Sequence, residues 1–250
     1  MDYYSISDFT AKCTECGLDN KIFLNVIMGD MQEAAEKGSA NYGFGTRFLA
    51  ENNICWIILK VKAHFDRYPV WGDEFKVKTW GSGLNKITFS REFEYFDSEG
   101  NMFGYITTDW ILADWTSHRP VIPSKKPCLP EVVIQDSRRV FPSGCVKIEV
   151  PDYNELVSIE PVIRKYADFS ELDRNRHVNN TRYVAWACDA LHKYGIDVFA
   201  IKDLDVNYIN EVKEWEKVDL FVIREEGSDS YTVAGYREDG KALFAIIAAL

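Results

Sequence analysis

The pattern of apolar and polar positions predicts the same order of elements twice along the 250-residue chain. In the first half, apolar residues at helical spacing predict a helix over residues 23–37, with Gly38 as its end. Apolar and β-branched runs predict strands at residues 9–16, 54–65, 73–80, 87–96 and 102–115. The first half therefore reads as one strand, one helix and four further strands.

The second half repeats this order. A predicted strand at residues 158–169 precedes a predicted helix at 178–192, whose apolar face begins at Tyr183. Further strands are predicted at residues 201–209, 217–226, 231–238 and 242–250. Because long antiparallel strands must bury one face, each helix is expected to pack on the sheet of its own half. The sequence thus predicts an α+β protein of two similar units.

A proline-rich segment between the halves marks the predicted boundary. Residues 116–130 contain four prolines and two lysines. Proline fixes φ and lacks a backbone donor, so this segment is not expected to continue a sheet. We predict a first domain at residues 1–120, a linker at 121–150 and a second domain at 151–250.

Composition and charge exclude several classes of protein. The chain is 46% hydrophobic and 14% aromatic, which indicates a packed core, and its net charge of −10 disfavours nucleic acid as a partner. No apolar run approaches the ~18 residues of a membrane span, and the N-terminus lacks a basic region followed by an apolar one. Scattered cysteines without an export signal predict a cytoplasmic protein.

Cys13 and Cys16 form a CxxC pair without the context of a known site. A zinc site needs a second pair of ligands, and a redox site needs a βαβ context, and neither is visible nearby. Two ordinary thiols are the simpler interpretation. We therefore predict neither a metal nor a cofactor.

Residues 172–186, LDRNRHVNNTRYVAW, place polar chemistry directly before the second helix. If this approach is extended, Asp173, Asn175 and His177 project from one side of the chain. A carboxylate, an amide and an imidazole then converge beside a helix N-terminus, which favours an oxyanion. The simpler interpretation is a helix cap made by one of the two asparagines after His177, with the preceding polar residues serving the turn.

Other catalytic signatures are absent from the sequence. It contains no GxSxG, no Walker loop and no HExxH motif. Cys188 falls on the predicted helix, away from its start, and is not expected to act as a nucleophile. Hydrolysis by water, or acid–base chemistry on a carbonyl, remains.

Two blocks resemble the plant-type acyl-acyl-carrier-protein thioesterases and their bacterial relatives. ELDRNRHVNNTRY at 171–183 matches D-x-N-x-H-V-N-N, and NNICWIILKVKAHFDRYPVWGD at 52–73 is similar to the block ending in D-R-Y-P-x-W-G-D. Trp110 and residues 119–123 also fit, so the resemblance covers roughly residues 5–250. It implies a tandem hotdog fold, in which two long helices are each wrapped by an antiparallel sheet. It also implies a thioester hydrolase of the EC 3.1.2 class that releases fatty acid from acyl carrier protein and ends fatty acid elongation.

The resemblance implies a catalytic group of Asp173, Asn175, His177 and Glu211. The first three belong to the motif, and Glu211 matches the glutamate of the family's Y-x-x-E context. His177 and Glu211 would activate a water, Asn175 would hold the water or the carbonyl, and Asp173 would orient its neighbours. The choice of principal base between His177 and Glu211 is open.

Other acids and a missing thiol bear on this assignment. Asp205 and Glu214 are nearby acids that compete with Glu211 for the role. Some family members carry a cysteine after the glutamate, once proposed as nucleophile, whereas this chain has Val212. The first half lacks the motif, since GLDNKIF at 17–23 contains no histidine, so one site per chain is expected.

The resemblance assigns acyl-chain binding to the first half and carrier-protein recognition to basic residues. The substrate-binding candidates are Val26, Ile27, Met31, Trp56, Ile58, Arg174 and Arg176. Plain core packing is the simpler interpretation of the apolar five, and solvated surface that of the two arginines. A protein of net charge −10 needs a local basic patch to meet an acidic partner.

Alternatives to an acyl-ACP hydrolase stay open at this point. An acyl-CoA thioesterase would use the same residues, and a hotdog module that binds acyl chains without turnover would not need them. The intact Asp173, Asn175, His177 and Glu211 set argues against the binding module. The sequence leaves chain-length preference undetermined, and a homodimer is one option for the assembly.

Overall fold

The computed structural model describes residues 4–125, 134–156, 158–225 and 227–250. It divides into two compact units, the first comprising Met1–Ile22 and Ile27–Cys145, the second Phe23–Val26 and Val146–Leu250. The predicted linker at 121–150 falls on both sides of that division, and its residues 126–133 lie outside the described part.

The first unit contains a five-stranded antiparallel sheet. Its strands are β1 (Ser5–Thr10), β2 (Ile54–Phe65), β3 (Glu74–Asn85), β4 (Thr88–Asp97) and β5 (Met102–Asp114), in the order β1-β3-β4-β5-β2. Two helices follow β1 along the chain, the long α1 (Leu24–Asn41) and the short α2 (Thr46–Glu51).

Helix α1 packs closely against this sheet. Its residues Ile27 and Met31 are buried, and the Tyr95 hydroxyl of β4 donates to the Ile27 carbonyl at 3.4 Å. The prediction that Gly38 ends the helix is wrong, because α1 continues to Asn41. A Cβ at position 38 would lie 3.2–3.3 Å from side chains on β1, β3 and β4. Glycine therefore serves the close approach of helix and sheet instead of a helix end.

The second unit repeats this plan. Its strands are β6 (Ile163–Tyr166), β7 (Asp203–Tyr208), β8 (Lys217–Arg224), β9 (Ser230–Arg237) and β10 (Ala242–Ala249), in the order β6-β8-β9-β10-β7. The short helix α3 (Tyr153–Leu156) precedes β6, and the long helix α4 (Asn180–Tyr194) contacts β8, β9 and β10. The strand order equals that of the first unit, and the predicted α+β tandem arrangement is confirmed. Among the described residues, none of the helices has the length and apolarity to cross a bilayer.

The strand that opens each unit was misplaced by the sequence pattern. The first strand covers Ser5–Thr10 instead of residues 9–16, because its inward positions include the polar Ser5 and Ser7, which both are buried. The following Cys13–Glu15 forms a 3-10 turn. In the second unit a matching 3-10 turn at Phe169–Glu171 shortens the predicted strand at 158–169.

We expect one substitution, glycine to alanine, to change stability in opposite directions at two positions. Gly29 lies within α1, where a Cβ meets no atom within 4 Å, so Gly29→Ala should stabilise the protein by about 0.5–1 kcal/mol. Gly235 lies on β9, where a Cβ would come within 2.3 Å of the Phe244 ring, so Gly235→Ala should destabilise it by about 1–3 kcal/mol. Denaturant unfolding measures both changes. Equal signs for the two variants would contradict the packing described.

Candidate active site

The segment that precedes α4 is a tight turn. Residues 172 and 178, at its ends, form a β-bridge, and the N–H of Asp173 donates to the His177 carbonyl at 2.8 Å. The N–H of Arg176 donates to the Asp173 carbonyl at 3.1 Å, and Arg176 adopts a left-handed φ of 64°. The prediction that Asp173, Asn175 and His177 share one face of an extended strand is therefore wrong. They meet through a turn.

The Asp173 carboxylate organises this turn. Its Oδ1 accepts hydrogen bonds from the N–H groups of Asn175 at 2.7 Å and His177 at 3.3 Å. Its Oδ2 accepts from the side-chain amide of Asn175 at 3.2 Å. An aspartate that accepts from the backbone two residues ahead is a common turn former. Asp173 thus fixes the backbone of His177 and the amide of Asn175 together.

His177 and Glu211 face each other across two chain segments. Their Nε2 and Oε2 atoms lie 3.3 Å apart, the imidazole side chain being 15% exposed and the carboxylate 49%. The backbone of His177 pairs with that of Lys213, and the N–H of Val178 donates to the Val212 carbonyl at 2.8 Å. Backbone pairing therefore brings a mostly buried imidazole and a half-exposed carboxylate into contact.

The loop that carries Glu211 is tied to the neighbouring strands. The N–H of Asn210 donates to the Leu243 carbonyl of β10 at 3.0 Å. Nη2 of Arg237, at the end of β9, donates to the Glu211 carbonyl at 3.0 Å and lies 3.5 Å from the Glu216 carboxylate. Sequence reasoning missed Arg237, because it lies 26 residues beyond Glu211 and outside any motif.

The helix cap and the motif occupy adjacent residues. Oδ1 of Asn179 accepts from the N–H of Thr181 at 3.0 Å and from its hydroxyl at 2.8 Å, so Asn179 is the N-cap of α4. Gly195, with φ of 102°, ends the helix. The capping interpretation is thus confirmed for Asn179, while the residues before it form the turn.

Glu171, at the base of the turn, is held by three donors. Its Oε1 accepts from Trp186 Nε1 at 2.8 Å and from Lys165 Nζ at 3.0 Å, and its Oε2 accepts from the Asp168 N–H at 3.0 Å. Burial alone raises the pKa of Glu171, but these bonds and the lysine charge outweigh it and lower the pKa below its ordinary value. Glu171 is therefore an ionised anchor between β6, the turn and α4.

The remaining candidates lie apart from the turn or on its exposed side. Ile27, Met31 and Ile58 of the first unit are buried, and Trp56 there is half-buried against the Phe89 ring at 5.1 Å. The half-buried Val26 belongs to the second unit, whereas Arg174 and Arg176 are exposed on the turn itself. Their assignment to substrate binding stays a prediction.

The thiols of Cys188, on α4, and Cys16, in the CxxC pair, are protonated at neutral pH. Burial, with a smaller effect of Asp189, raises the pKa of the Cys188 thiol on α4 to about 12. Burial, followed by Glu15 and Cys13, also raises the pKa of Cys16. Because the thiolate is the nucleophile and the metal ligand, neither position suits those roles.

The first unit contains the same turn without the same chemistry. The N–H of Gly17 donates to the Lys21 carbonyl at 2.8 Å, and that of Asn20 to the Gly17 carbonyl at 3.0 Å. Asn20, like Arg176, is left-handed, with φ of 56°. Lys21 therefore stands where His177 stands, and Gly17 where the second unit has its aspartate. The turn therefore occurs in both units, but only the second carries an aspartate and a histidine at these positions.

Comparison with known proteins decides the family. The model of the acyl-ACP thioesterase N-terminal domain matches residues 4–124, and that of the C-terminal domain matches residues 161–245. The chain belongs to the acyl-ACP thioesterase family. The turn, the His177–Glu211 contact and α4 all lie within the part matched by the family's C-terminal domain.

Two plant relatives illustrate the likeness. Palmitoyl-acyl carrier protein thioesterase of Gossypium hirsutum is 26% identical over 217 residues, which is 82% of this chain and 51% of the relative. Oleoyl-acyl carrier protein thioesterase 2 of Arabidopsis thaliana is 22% identical over 94% of this chain and 70% of its own length. Both are chloroplastic proteins, and the chain spans about half the length of the first.

Solved structures of the family share the fold. An acyl-ACP thioesterase from Bacteroides thetaiotaomicron superposes with a TM-score of 0.84 at 19% identity, covering 99% of this chain and 97% of that one. The 12:0-ACP thioesterase from Umbellularia californica gives 0.83 at 20% identity, covering 100% and 97%. The tandem hotdog fold is thereby confirmed.

We expect the contribution of Glu171 to stability to depend on pH. Because its folded-state pKa is depressed, the stabilisation is complete above the unfolded-state pKa of ~4.3 and is lost as pH falls through the folded value. Glu171→Gln should lower the free energy of unfolding by about 1–3 kcal/mol at pH 7 and by progressively less below pH ~4.

Denaturant unfolding between pH 7 and pH 3 measures this difference. Glu155→Gln, on the exposed face of α3, is the matched control and should change the free energy by less than ~0.5 kcal/mol. A deficit for Glu171→Gln that stays constant down to pH 3 would contradict the ionised anchor.

Proposed function

We propose that the chain is an acyl-acyl-carrier-protein thioesterase, which hydrolyses the thioester of a carrier-bound fatty acyl chain. The observation that supports this most directly is the 3.3 Å contact between His177 Nε2 on the turn and Glu211 Oε2 on its loop, both matched by the family's C-terminal model. The plant relatives are named for the same activity on palmitoyl- and oleoyl-acyl carrier protein. Release of the free fatty acid would end chain elongation.

The proposed reaction is attack of water on the thioester carbonyl. His177 or Glu211 takes a proton from the water, and the resulting hydroxide adds to the carbonyl carbon. The tetrahedral intermediate collapses, the carbon–sulfur bond breaks, and the phosphopantetheine thiolate leaves and takes up the proton. An imidazole suits both proton transfers, since its ring nitrogens can accept a proton and donate one, and the carboxylate orients it.

The other two motif residues have supporting roles in this proposal. Asp173 keeps the turn closed and accepts from the Asn175 amide, which leaves that amide oriented toward the water or the acyl oxygen. The N-terminus of α4 directs partial positive charge at the same region, and this charge stabilises the oxyanion. In this proposal the turn and the dipole of α4 act on the acyl oxygen, while His177 and Glu211 transfer the proton of the attacking water.

The proposed partner is acyl carrier protein, recognised through its phosphopantetheine arm. Arg174 and Arg176 are exposed on the turn, where they provide local positive charge on a chain whose net charge is −10. Both arginines lie within three residues of His177 in the sequence, which supports their proposed contact with the phosphopantetheine arm. A homodimer and a cytoplasmic location stay predictions.

We expect loss of either reactive side chain to remove turnover. His177→Ala and Glu211→Gln should each reduce kcat for release of fatty acid from acyl-ACP by about 10²–10⁴-fold. Glu214→Gln changes an exposed acid three residues further along the same loop, and it should leave kcat unchanged. Steady-state assays with a far-ultraviolet circular dichroism check of folding measure this. Near wild-type rates for His177→Ala or Glu211→Gln would refute the assignment.

The carrier itself is tested by a panel of acyl-ACP and acyl-CoA substrates with equal chains. We expect a kcat/KM about tenfold or more higher for acyl-ACP, since one lost charge contact of ~1.4 kcal/mol gives that factor. Arg174→Ala should reduce the ratio of kcat/KM for acyl-ACP to that for acyl-CoA. Lys193→Ala, at the far end of α4, should leave this ratio unchanged. Equal turnover of both carriers would favour an acyl-CoA thioesterase, and no turnover of either would favour an acyl-binding module.

A further inference from the structure

Both backbone groups of Val212, the residue after Glu211, are hydrogen-bonded to the segment that carries His177. Its carbonyl accepts from the N–H of Val178 at 2.8 Å, and its N–H donates to the hydroxyl of Tyr183 at 3.1 Å. Val212 is fully buried. The carbonyl of Val212 is therefore held by the turn, and its N–H is held by a side chain of α4.

Tyr183 is suited to hold this peptide. It lies in the first part of α4, four residues after the N-cap, and it is buried. Its ring contacts Tyr208 at 5.8 Å and Phe244 at 5.2 Å, both edge to face. Burial also raises the pKa of the Tyr183 hydroxyl, so the group stays neutral.

In the first unit the residue that corresponds to Val212 is Pro69, and its backbone is held differently. There the N–H of Ile22 donates to the Pro69 carbonyl at 2.9 Å, as Val178 donates to Val212. Proline has no N–H, so this peptide needs no acceptor. Five residues beyond Ile22, where the second unit has its tyrosine, stands Ile27, which has no hydroxyl. The residue before Pro69 is Tyr68 instead of a glutamate.

The second unit, which carries Glu211, thus has both the tyrosine hydroxyl and the backbone N–H that donates to it. The first unit, which has no glutamate at this position, has neither group. Glu211 needs this support, because its carboxylate is 49% exposed and has to stay 3.3 Å from His177 Nε2. We propose that Tyr183 is a positioning residue, whose hydroxyl holds the Val212 N–H and thereby keeps Glu211 against His177. This role rests on the proposed function.

The test is Tyr183→Phe, which removes one oxygen and keeps the ring packing. We expect kcat for acyl-ACP to fall by about tenfold to a hundredfold, because a small misplacement of a reacting group has that effect, with KM unchanged. The matched control is Tyr236→Phe, since Tyr236 is a buried tyrosine of the same unit that donates to the Pro151 carbonyl at 2.6 Å. It should leave kcat unchanged even where it lowers the melting temperature.

A double-mutant cycle separates positioning from a general loss of structure. If Tyr183 acts through Glu211, Tyr183→Phe should have no further effect on kcat in the Glu211→Gln background. Amide hydrogen exchange at Val212 should become about tenfold faster in Tyr183→Phe and stay unchanged in Tyr236→Phe.

Multiplicative losses in the cycle, or an unchanged kcat in Tyr183→Phe, would overturn the role of Tyr183 while the wild type still releases fatty acid. Absence of release by the wild type on every acyl-ACP would instead refute the proposed function. The exchange rate at Val212 would then still decide whether the hydroxyl holds the peptide.

Discussion

The pairing of the turn at 172–178 with the backbone of residues 211–213 is the constraint on which the candidate site depends. The bond from Val178 to Val212 places the imidazole of His177 beside the carboxylate of Glu211. Backbone hydrogen bonds do not require particular side chains, and the first unit makes the same bond. The fold therefore provides the geometry in both units, and side-chain identity alone decides where chemistry is possible.

A second shared feature shows which parts of this geometry belong to the fold. In the first unit Arg67, on the loop after β2, lies 3.2 Å from Asp97 at the end of β4 and 3.6 Å from Asp73. In the second unit the arginine, Arg237, stands at the end of β9 and the acid, Glu216, on the loop. The positive and negative side chains have exchanged positions between the two units, but an ion pair links the strand end to the loop in both. Because the link occurs in both units, and only the second has a glutamate at the position of Glu211, its first role is structural.

Sequence reasoning found the elements with regular periodicity and the motif with a fixed spacing. Strand Ile54–Phe65 and the Asn179 cap follow from local patterns. The turn did not, since an acid, an amide and an imidazole at alternate positions fit a strand equally well until Asp173 is seen to accept from its own neighbours. Tyr183 reaches a partner 29 residues away. Such contacts depend on how helix and loop meet, which periodicity does not encode.

The turn also changes the interpretation of the four candidate catalytic residues. On an extended strand, Asp173 would have projected from the same side as His177. In the turn its carboxylate accepts from two backbone N–H groups and from the Asn175 amide, so both of its oxygens are engaged within the turn. The group therefore separates into a pair that shapes the turn, Asp173 with Asn175, and a pair that can move a proton, His177 with Glu211. Asp173 thus contacts the backbone of the turn, whereas Glu211, held by the backbone contacts of its own loop, lies 3.3 Å from the imidazole.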